Sequence, residues 1–179
     1  LAMRDAYRGE ELLSFCLAPH APYTVSDETL ARIATLAEEI DAPVHTHLHE
    51  TAEEIAQGLA QHGVRPLERL RRLGLVGPRL IAVHAVHLEE AEIELLAREG
   101  ASVAHCPSSN LKLASGIAPV ASLLAKGVNV GLGTDGAASN SARSIAFMPQ
   151  PPAAGRDRSA RRHAAGTQGL RCRTSGPTT

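Results

Sequence analysis

Short apolar runs alternate with amphipathic stretches along roughly the first 140 residues of the chain. The apolar runs have the length of strands, and the stretches between them repeat apolar residues at helical spacing. Ser26 is a predicted helix N-cap, and Gly100 and Gly127 follow predicted helix ends. Strands are predicted at 12–18, 43–48, 80–83, 101–104 and 128–132, and helices at 26–40, 51–61, 66–73, 89–98 and 118–126.

Strands that alternate with helices predict a parallel sheet with both faces covered. A complete eight-unit barrel usually needs about 250 residues, whereas this chain has 179. An open doubly wound sheet is the alternative, but the glycine-rich phosphate loop that usually follows its first strand is not seen. We therefore predict an α/β fold: a partial (β/α)8 TIM-like barrel of about five strand–helix units.

A polar residue stands at the C-terminal end of every predicted strand. In a barrel these ends meet at one face, where the active site lies. The sequence therefore predicts that five side chains converge: His20, His47, His84, His105 and Asp135.

His47 and Glu50 form an H-x-x-E pattern that leaves a predicted strand, and Asp135 follows an apolar run between glycines. A histidine and a carboxylate that converge, with a second carboxylate nearby, indicate metal-assisted hydrolysis. A catalytic zinc usually has three protein ligands and an open position, and these segments supply two. His45 and His49 are expected to share a face with His47. Spacing permits all three as ligands, but we favour His47 and interpret the other two as structural residues or as side chains that support a ligand.

Three further histidines each allow two interpretations of their role. His84 is interpreted as a functional residue that orients the attacking water, against a packing or capping role. For His87 we favour the packing role. His105 stays open between a structural and a substrate-facing role.

Composition and charge limit the function classes. The net charge of −1 combines +6 over residues 143–179 with −7 over the rest. A basic arm for nucleic acid is disfavoured because no aromatic residues are interleaved for stacking. We therefore predict a disordered, non-native or frame-shifted tail over 143–179 and a barrel domain over 1–142.

No apolar stretch is long enough for a membrane span. The three cysteines form no disulfide framework, which predicts a cytoplasmic protein.

Five segments together resemble the amidohydrolase superfamily, within it most closely the 5-methylthioadenosine/S-adenosylhomocysteine deaminases of the TRZ/ATZ hydrolase branch. They include His47-Leu48-His49-Glu50-Thr51 and Gly133-Thr134-Asp135-Gly136, and they occur in the family's order. The resemblance covers roughly residues 1–140, in the segments 19–24, 47–51, 83–88, 105–113 and 133–140.

The resemblance implies a (β/α)8 barrel that holds one divalent metal ion, usually zinc. His47 and Asp135 would be metal ligands, and Glu50 would move protons between the attacking water and the purine ring. His84 would hold the hydroxide, while His20, Glu50 and Asp135 would contact the substrate, a purine nucleoside. The implied reaction is hydrolytic deamination of the adenine at C6, which gives an inosine-type nucleoside and ammonia.

The chain departs from the family at both ends. The family's H-x-H pair, which supplies two more ligands, would lie before Leu1, and after Asn140 the sequence enters the basic tail. We therefore expect the C-terminal half of a barrel, inactive and poorly soluble by itself, from a parent protein whose homo-oligomeric state the sequence leaves open. Two alternatives remain: another branch member, such as a guanine or cytosine deaminase or a triazine hydrolase, and a non-catalytic remnant.

Overall fold

The structure is a computed structural model that describes residues 1–139 and 146–147. The chain divides into two compact units, and residues Leu1–Phe15 belong to a different unit from Cys16–Pro152. In the described part of the first unit, α1 spans Ala2–Ala6. All remaining elements belong to the second unit. Apart from residues 146–147, the predicted tail over 143–179 lies outside the described residues, as does the predicted domain boundary, and both stay predictions.

Four parallel strands form the sheet of the second unit: β1 Val44–Leu48, β2 Leu80–His84, β3 Ser102–His105 and β4 Asn129–Leu132. A two-residue strand, β5 Ala146–Phe147, pairs antiparallel with β4. The spatial order of the strands is the same as their order along the chain. A doubly wound sheet reverses its strand order at a switch point, so this arrangement favours the barrel.

The α-helices in the described part of this unit comprise one that precedes β1 and five that lie in the connections between the parallel strands. Ser26 caps the first of them, because its Oγ accepts a hydrogen bond from the N–H of Thr29 at 3.3 Å. A 3-10 turn at Pro22–Thr24 and the short helix at Pro107–Lys112 were not predicted, because neither is long enough to show apolar periodicity. The helices are α2 Asp27–Glu39, α3 Ala52–His62, α4 Pro66–Arg72, α5 Glu90–Glu99, α6 Pro107–Lys112 and α7 Val120–Ala125.

The predicted strand at 12–18 is wrong over most of its length. Only Leu17 pairs with the sheet, through a single parallel bridge to Val44. The Leu17 N–H donates to the Pro43 carbonyl, and its carbonyl accepts the His45 N–H, each at 2.8 Å. Leu12 is 89% exposed. The apolar run is present, but a strand also needs a ladder of hydrogen bonds, and the described residues pair with it at one position.

The core lies between the sheet and its helices and consists of leucine, valine, isoleucine and alanine. Along β1 burial alternates, with Val44, Thr46 and Leu48 packed inward and His45 and His47 on the opposite face. This alternation turns His47 away from the helices and towards the end of the sheet where the site lies. Among the described residues, no helix is long and apolar enough to cross a membrane.

Candidate metal and catalytic site

Three side chains from separate parts of the chain meet at the C-terminal end of the sheet. His47 lies in β1, His84 ends β2, and Asp135 follows β4. Each offers one potential ligand atom, and these three atoms lie within 4.8 Å of one another. The sequence predicted His47 and Asp135 as ligands, and the structure brings His84 into the same group.

The imidazole of His47 is oriented by its Nδ1, which donates to the backbone carbonyl of His20 at 2.7 Å. In the neutral ring Nε2 is then an acceptor. Nε2 faces the Oδ1 atom of Asp135 at 3.7 Å, a separation too long for a hydrogen bond. Two acceptors that face each other across this gap fit a cation between them, and an imidazole nitrogen with a carboxylate oxygen suits a divalent metal ion.

Asp135 is held in its ionised form. Burial raises the pKa of its carboxyl group, but hydrogen bonds from Ser109 and Ser139 outweigh that effect and lower the pKa to about 2. Both hydroxyls donate to Oδ2, at 2.6 Å from Ser109 and 2.8 Å from Ser139. Oδ1 is therefore the oxygen directed at His47, from a backbone with a left-handed φ of 56°.

His84 is buried, with only 1% of its side chain exposed. Its Nδ1 donates to Oδ1 of Asn110 at 2.7 Å, and its ring stacks on His47 with centroids 5.2 Å apart. Its Nε2 lies 3.6 Å from Oε2 of Glu50. A carboxylate and an imidazole at this separation can share a bound water and move a proton through it.

Glu50 and His20 border this group. The Ser115 hydroxyl donates to Oε1 of Glu50 at 3.4 Å, which leaves Oε2 turned towards His84. His20 is exposed, and its ring stands edge-on to that of His47 with centroids 4.9 Å apart. Both therefore lie where a substrate beside His47 could reach them, and their roles stay predictions.

His49 does not share a face with His47, which corrects the sequence-based expectation. The alternation of β1 ends at Leu48, and His49 adopts a left-handed φ of 54° that turns its side chain into the interior. Its Nε2 accepts the Leu67 N–H at 3.1 Å, and its Nδ1 lies 3.5 Å from Oε2 of Glu92. His49 is therefore a packing residue, as favoured for it, but for a different geometric reason.

The sequence also singled out His45, His87 and His105. His45 shares the face of His47, and burial, with a further contribution from His47, lowers its pKa. His87 donates from Nε2 to the Ser115 carbonyl at 3.0 Å, which fits the favoured packing role. His105 ends β3 and is buried, with no hydrogen-bond partner for Nδ1 among the described residues; burial, and then His84, lower its pKa. Its role stays open.

Sequence reasoning missed the polar side chains behind the site. Ser109 and Asn110 are fully buried in α6, where they bind Asp135 and His84. Ser139 also binds Asp135, and Glu54 accepts the backbone N–H groups of His49 and Glu50. Two signals pointed to Ser109 and Asn110: their place in the segment 105–113 that resembles the superfamily, and their position just after the strand that ends at His105.

Comparison with known proteins places this geometry in context. Residues 6–161 match the amidohydrolase family. The chain is 52% identical over 145 residues to a 5-methylthioadenosine/S-adenosylhomocysteine deaminase of Saccharophagus degradans, covering 81% of this chain and 32% of the relative. The crystal structure of an adenosine deaminase from Xanthomonas campestris with bound zinc is 56% identical, with a TM-score of 0.76, and the match covers 78% of this chain and 32% of that one.

A second solved structure bears on the alternative activities. The zinc complex of an atrazine chlorohydrolase from Arthrobacter aurescens is 29% identical, with a TM-score of 0.71, over 78% of this chain and 31% of that one. The predicted α/β barrel class and the resemblance to the superfamily are confirmed. The chain spans about a third of the length of the curated relatives that it matches.

Proposed function

Because the chain belongs to the amidohydrolase family, we propose that it forms part of a metal-dependent aminohydrolase acting on an adenosine-type nucleoside, 5-methylthioadenosine or S-adenosylhomocysteine. The reaction would replace the amino group at C6 by oxygen and release ammonia. Relatives at about half identity that carry the name of this deaminase support the substrate class. The chain covers a third of those relatives, so the activity is proposed for the complete parent protein.

The observation that carries the proposal is the pair of acceptors, Nε2 of His47 and Oδ1 of Asp135, which face each other at 3.7 Å beside Glu50 and His84. We propose that His47 and Asp135 hold a divalent ion, and zinc is favoured because the adenosine deaminase with a similar fold contains it. A bound zinc ion would lower the pKa of a water molecule enough to make it a nucleophile at neutral pH.

Glu50 and His84 would carry the proton transfers. Oε2 of Glu50 and Nε2 of His84 are 3.6 Å apart and face the same space, so one water can contact both. Glu50 would take a proton from that water as its oxygen bonds to C6, and would deliver the proton to the adjacent ring nitrogen. The proton that remains on the added oxygen would then pass, through Glu50 and His84, to the amino group; the C6–N bond breaks, the C6–oxygen bond becomes a carbonyl, and ammonia leaves.

The substrate would lie against His20. Its exposed ring is edge-on to His47, and its Nδ1 donates to the Thr24 hydroxyl at 3.2 Å, which leaves Nε2 for a ligand. Asp135, ionised and next to His47, can also contact the substrate. These contacts would orient the purine while the carboxylate of Glu50 reaches the ring nitrogen.

The test measures ammonia release and the change in adenine absorbance when the complete protein is incubated with zinc and each nucleoside. We expect turnover that a chelator abolishes and that added zinc restores. Turnover of guanine, cytosine or a triazine with neither nucleoside consumed would instead assign the protein to another activity of the branch. Absence of stoichiometric metal would support the non-catalytic alternative.

A segment exchange tests the residues of this chain directly. Residues 16–139 would replace the corresponding segment of the Xanthomonas campestris enzyme, which is 56% identical to the chain where they align. We expect the hybrid to bind zinc and to deaminate, and its Glu50→Gln variant to bind zinc without turnover. A folded, zinc-loaded hybrid without activity would contradict the roles proposed for Glu50 and His84.

A further inference from the structure

Glu54 is a buried carboxylate that touches the loop bearing Glu50. It lies in the first turn of α3 and is 4% exposed. Its Oε1 accepts the backbone N–H of His49 at 2.9 Å, and its Oε2 accepts the backbone N–H of Glu50 at 2.8 Å. Both carboxylate oxygens are therefore used to hold two successive peptide groups outside the helix.

These contacts exceed what helix capping requires. In a capping box the acidic side chain at the third helical position reaches back to the N–H of the N-cap residue, as Glu92 does to Glu89 in α5. The N-cap of α3 is Thr51, whose hydroxyl accepts the Glu54 N–H at 3.1 Å. The Glu54 side chain instead reaches the two residues that precede Thr51.

The peptide held by Glu54 also connects the two loops of the site. The His49 carbonyl accepts the N–H groups of Val86 and His87, at 3.0 and 2.9 Å, in the loop that follows His84. His49 itself has a left-handed φ, a conformation that is costly for a non-glycine residue and persists only where surrounding contacts impose it. Glu54 supplies two of those contacts.

We propose that Glu54 is a positioning residue: through the His49 and Glu50 peptides it fixes the separation between Glu50 Oε2 and His84 Nε2, 3.6 Å in this structure. The inference rests on the proposed function, because that function gives Glu50 and His84 their task. Glu54 itself touches no reacting atom. Its effect is expected in the rate of the chemical step rather than in substrate or metal binding.

The test compares Glu54→Gln with Glu53→Gln in the complete protein. Glu53 is the adjacent, exposed carboxylate on the same helical turn, so both variants make the same chemical change on α3. Glutamine at 54 places an NH2 group against one of the two peptide N–H groups. We expect kcat to fall roughly 10–100-fold, a range typical of residues that orient a catalytic group, with KM and zinc content within about twofold of wild type. Glu53→Gln should match wild type.

A double variant separates positioning from general destabilisation. If Glu54 acts through Glu50, then Glu50→Gln/Glu54→Gln should be no slower than Glu50→Gln alone, because residues that act as a unit are not additive. The proposal would be overturned if the kcat losses of the two single variants multiplied in the double variant. It would also be overturned if zinc content fell in parallel with kcat, or if the kinetics of Glu54→Gln equalled those of Glu53→Gln.

Two further measurements keep the proposal testable if Glu54→Gln folds poorly or if the proposed function fails. Glu54→Asp keeps the carboxylate but shortens it, so its kcat should lie between those of wild type and Glu54→Gln; a rate no higher than that of Glu54→Gln would count against the proposal. Amide hydrogen exchange at residues 49 and 50 does not depend on activity. If the wild type deaminates neither nucleoside, the proposed function fails, while exchange still tests the contact: faster exchange in a Glu54 variant supports it, and unchanged exchange overturns it.

Discussion

The side chains of Asn110 and His84 form a buried pair, with Oδ1 of the amide 2.7 Å from Nδ1 of the imidazole. Both residues are at most 1% exposed. Because the amide oxygen accepts from Nδ1, the neutral His84 ring presents Nε2 as an acceptor, directed at the space beside Glu50. Asn110 thereby sets which nitrogen of His84 can act at the site.

Asn110→Ala should leave the buried Nδ1–H of His84 without its acceptor. We expect a loss of stability of about 1–3 kcal/mol together with a fall in kcat, since the imidazole can then change its tautomer and orientation. Asn129→Ala is the matched control: that amide donates to the Ser102 hydroxyl at 3.1 Å, at the opposite end of the sheet. Thermal melts and steady-state kinetics would show kcat unchanged in the control. Unchanged kcat in Asn110→Ala would contradict the assignment.

His47→Ala and Asp135→Asn should each lower the zinc content of the purified protein. The first would remove the proposed imidazole ligand, and the second would replace the proposed ionised oxygen ligand by a neutral amide. His62→Ala changes an exposed histidine at the end of α3 and should leave zinc unchanged. Elemental analysis after dialysis measures the content. Full zinc occupancy in both site variants would place the metal elsewhere.

Glu50→Gln should retain zinc and lose roughly 10²–10⁴-fold in kcat, the usual contribution of a general acid–base. Glutamine keeps the shape and can still contact Ser115, but it cannot carry a proton. Glu53→Gln serves as the control on the neighbouring helix. Activity near that of wild type in Glu50→Gln would remove Glu50 from the chemistry.

Glu92 should stabilise the fold above mildly acidic pH and lose that effect as the pH falls. Burial raises its pKa, but the nearby His49 and the hydrogen bonds from Arg65 outweigh burial and bring the pKa from 4.5 to about 2. Arg65 binds both carboxylate oxygens, at 2.8 and 2.9 Å. Since the folded-state pKa is the lower one, the contribution is complete above about pH 4.5 and disappears progressively towards about pH 2.

Glu92→Gln should therefore lower the free energy of unfolding at neutral pH by no more than about 3 kcal/mol. The difference from wild type should shrink below about pH 4.5. Denaturant titrations across this range measure it, with Glu53→Gln as an exposed control. A difference that stays constant with pH would show that packing, rather than the charge of Glu92, is responsible.

The local pattern of the sequence was enough to place most elements and the main site residues. Apolar periodicity located β1 to β4 and the longer helices within a few residues, because strand and helix repeats are properties of consecutive positions. It also put His47, His84 and Asp135 at strand ends, and parallel strands bring such ends to one edge. The strand prediction at 12–18 was wrong because it rested on the same local pattern. Strand pairing depends on a neighbouring strand, and periodicity carries no information about that neighbour.

Only the tertiary structure decided which side chains face one another. His49 has the same local spacing as His45, yet its left-handed φ sends it into the core, where Leu67 and Glu92 hold it. Ser109 and Asn110 reach Asp135 and His84 across 26 residues of sequence in each case. Such contacts depend on the packing of separate elements, and no pattern among neighbouring residues encodes them. The sequence therefore determined that His47, His84 and Asp135 reach the site. The packing determined which further groups contact them and which nitrogen or oxygen of each is presented there.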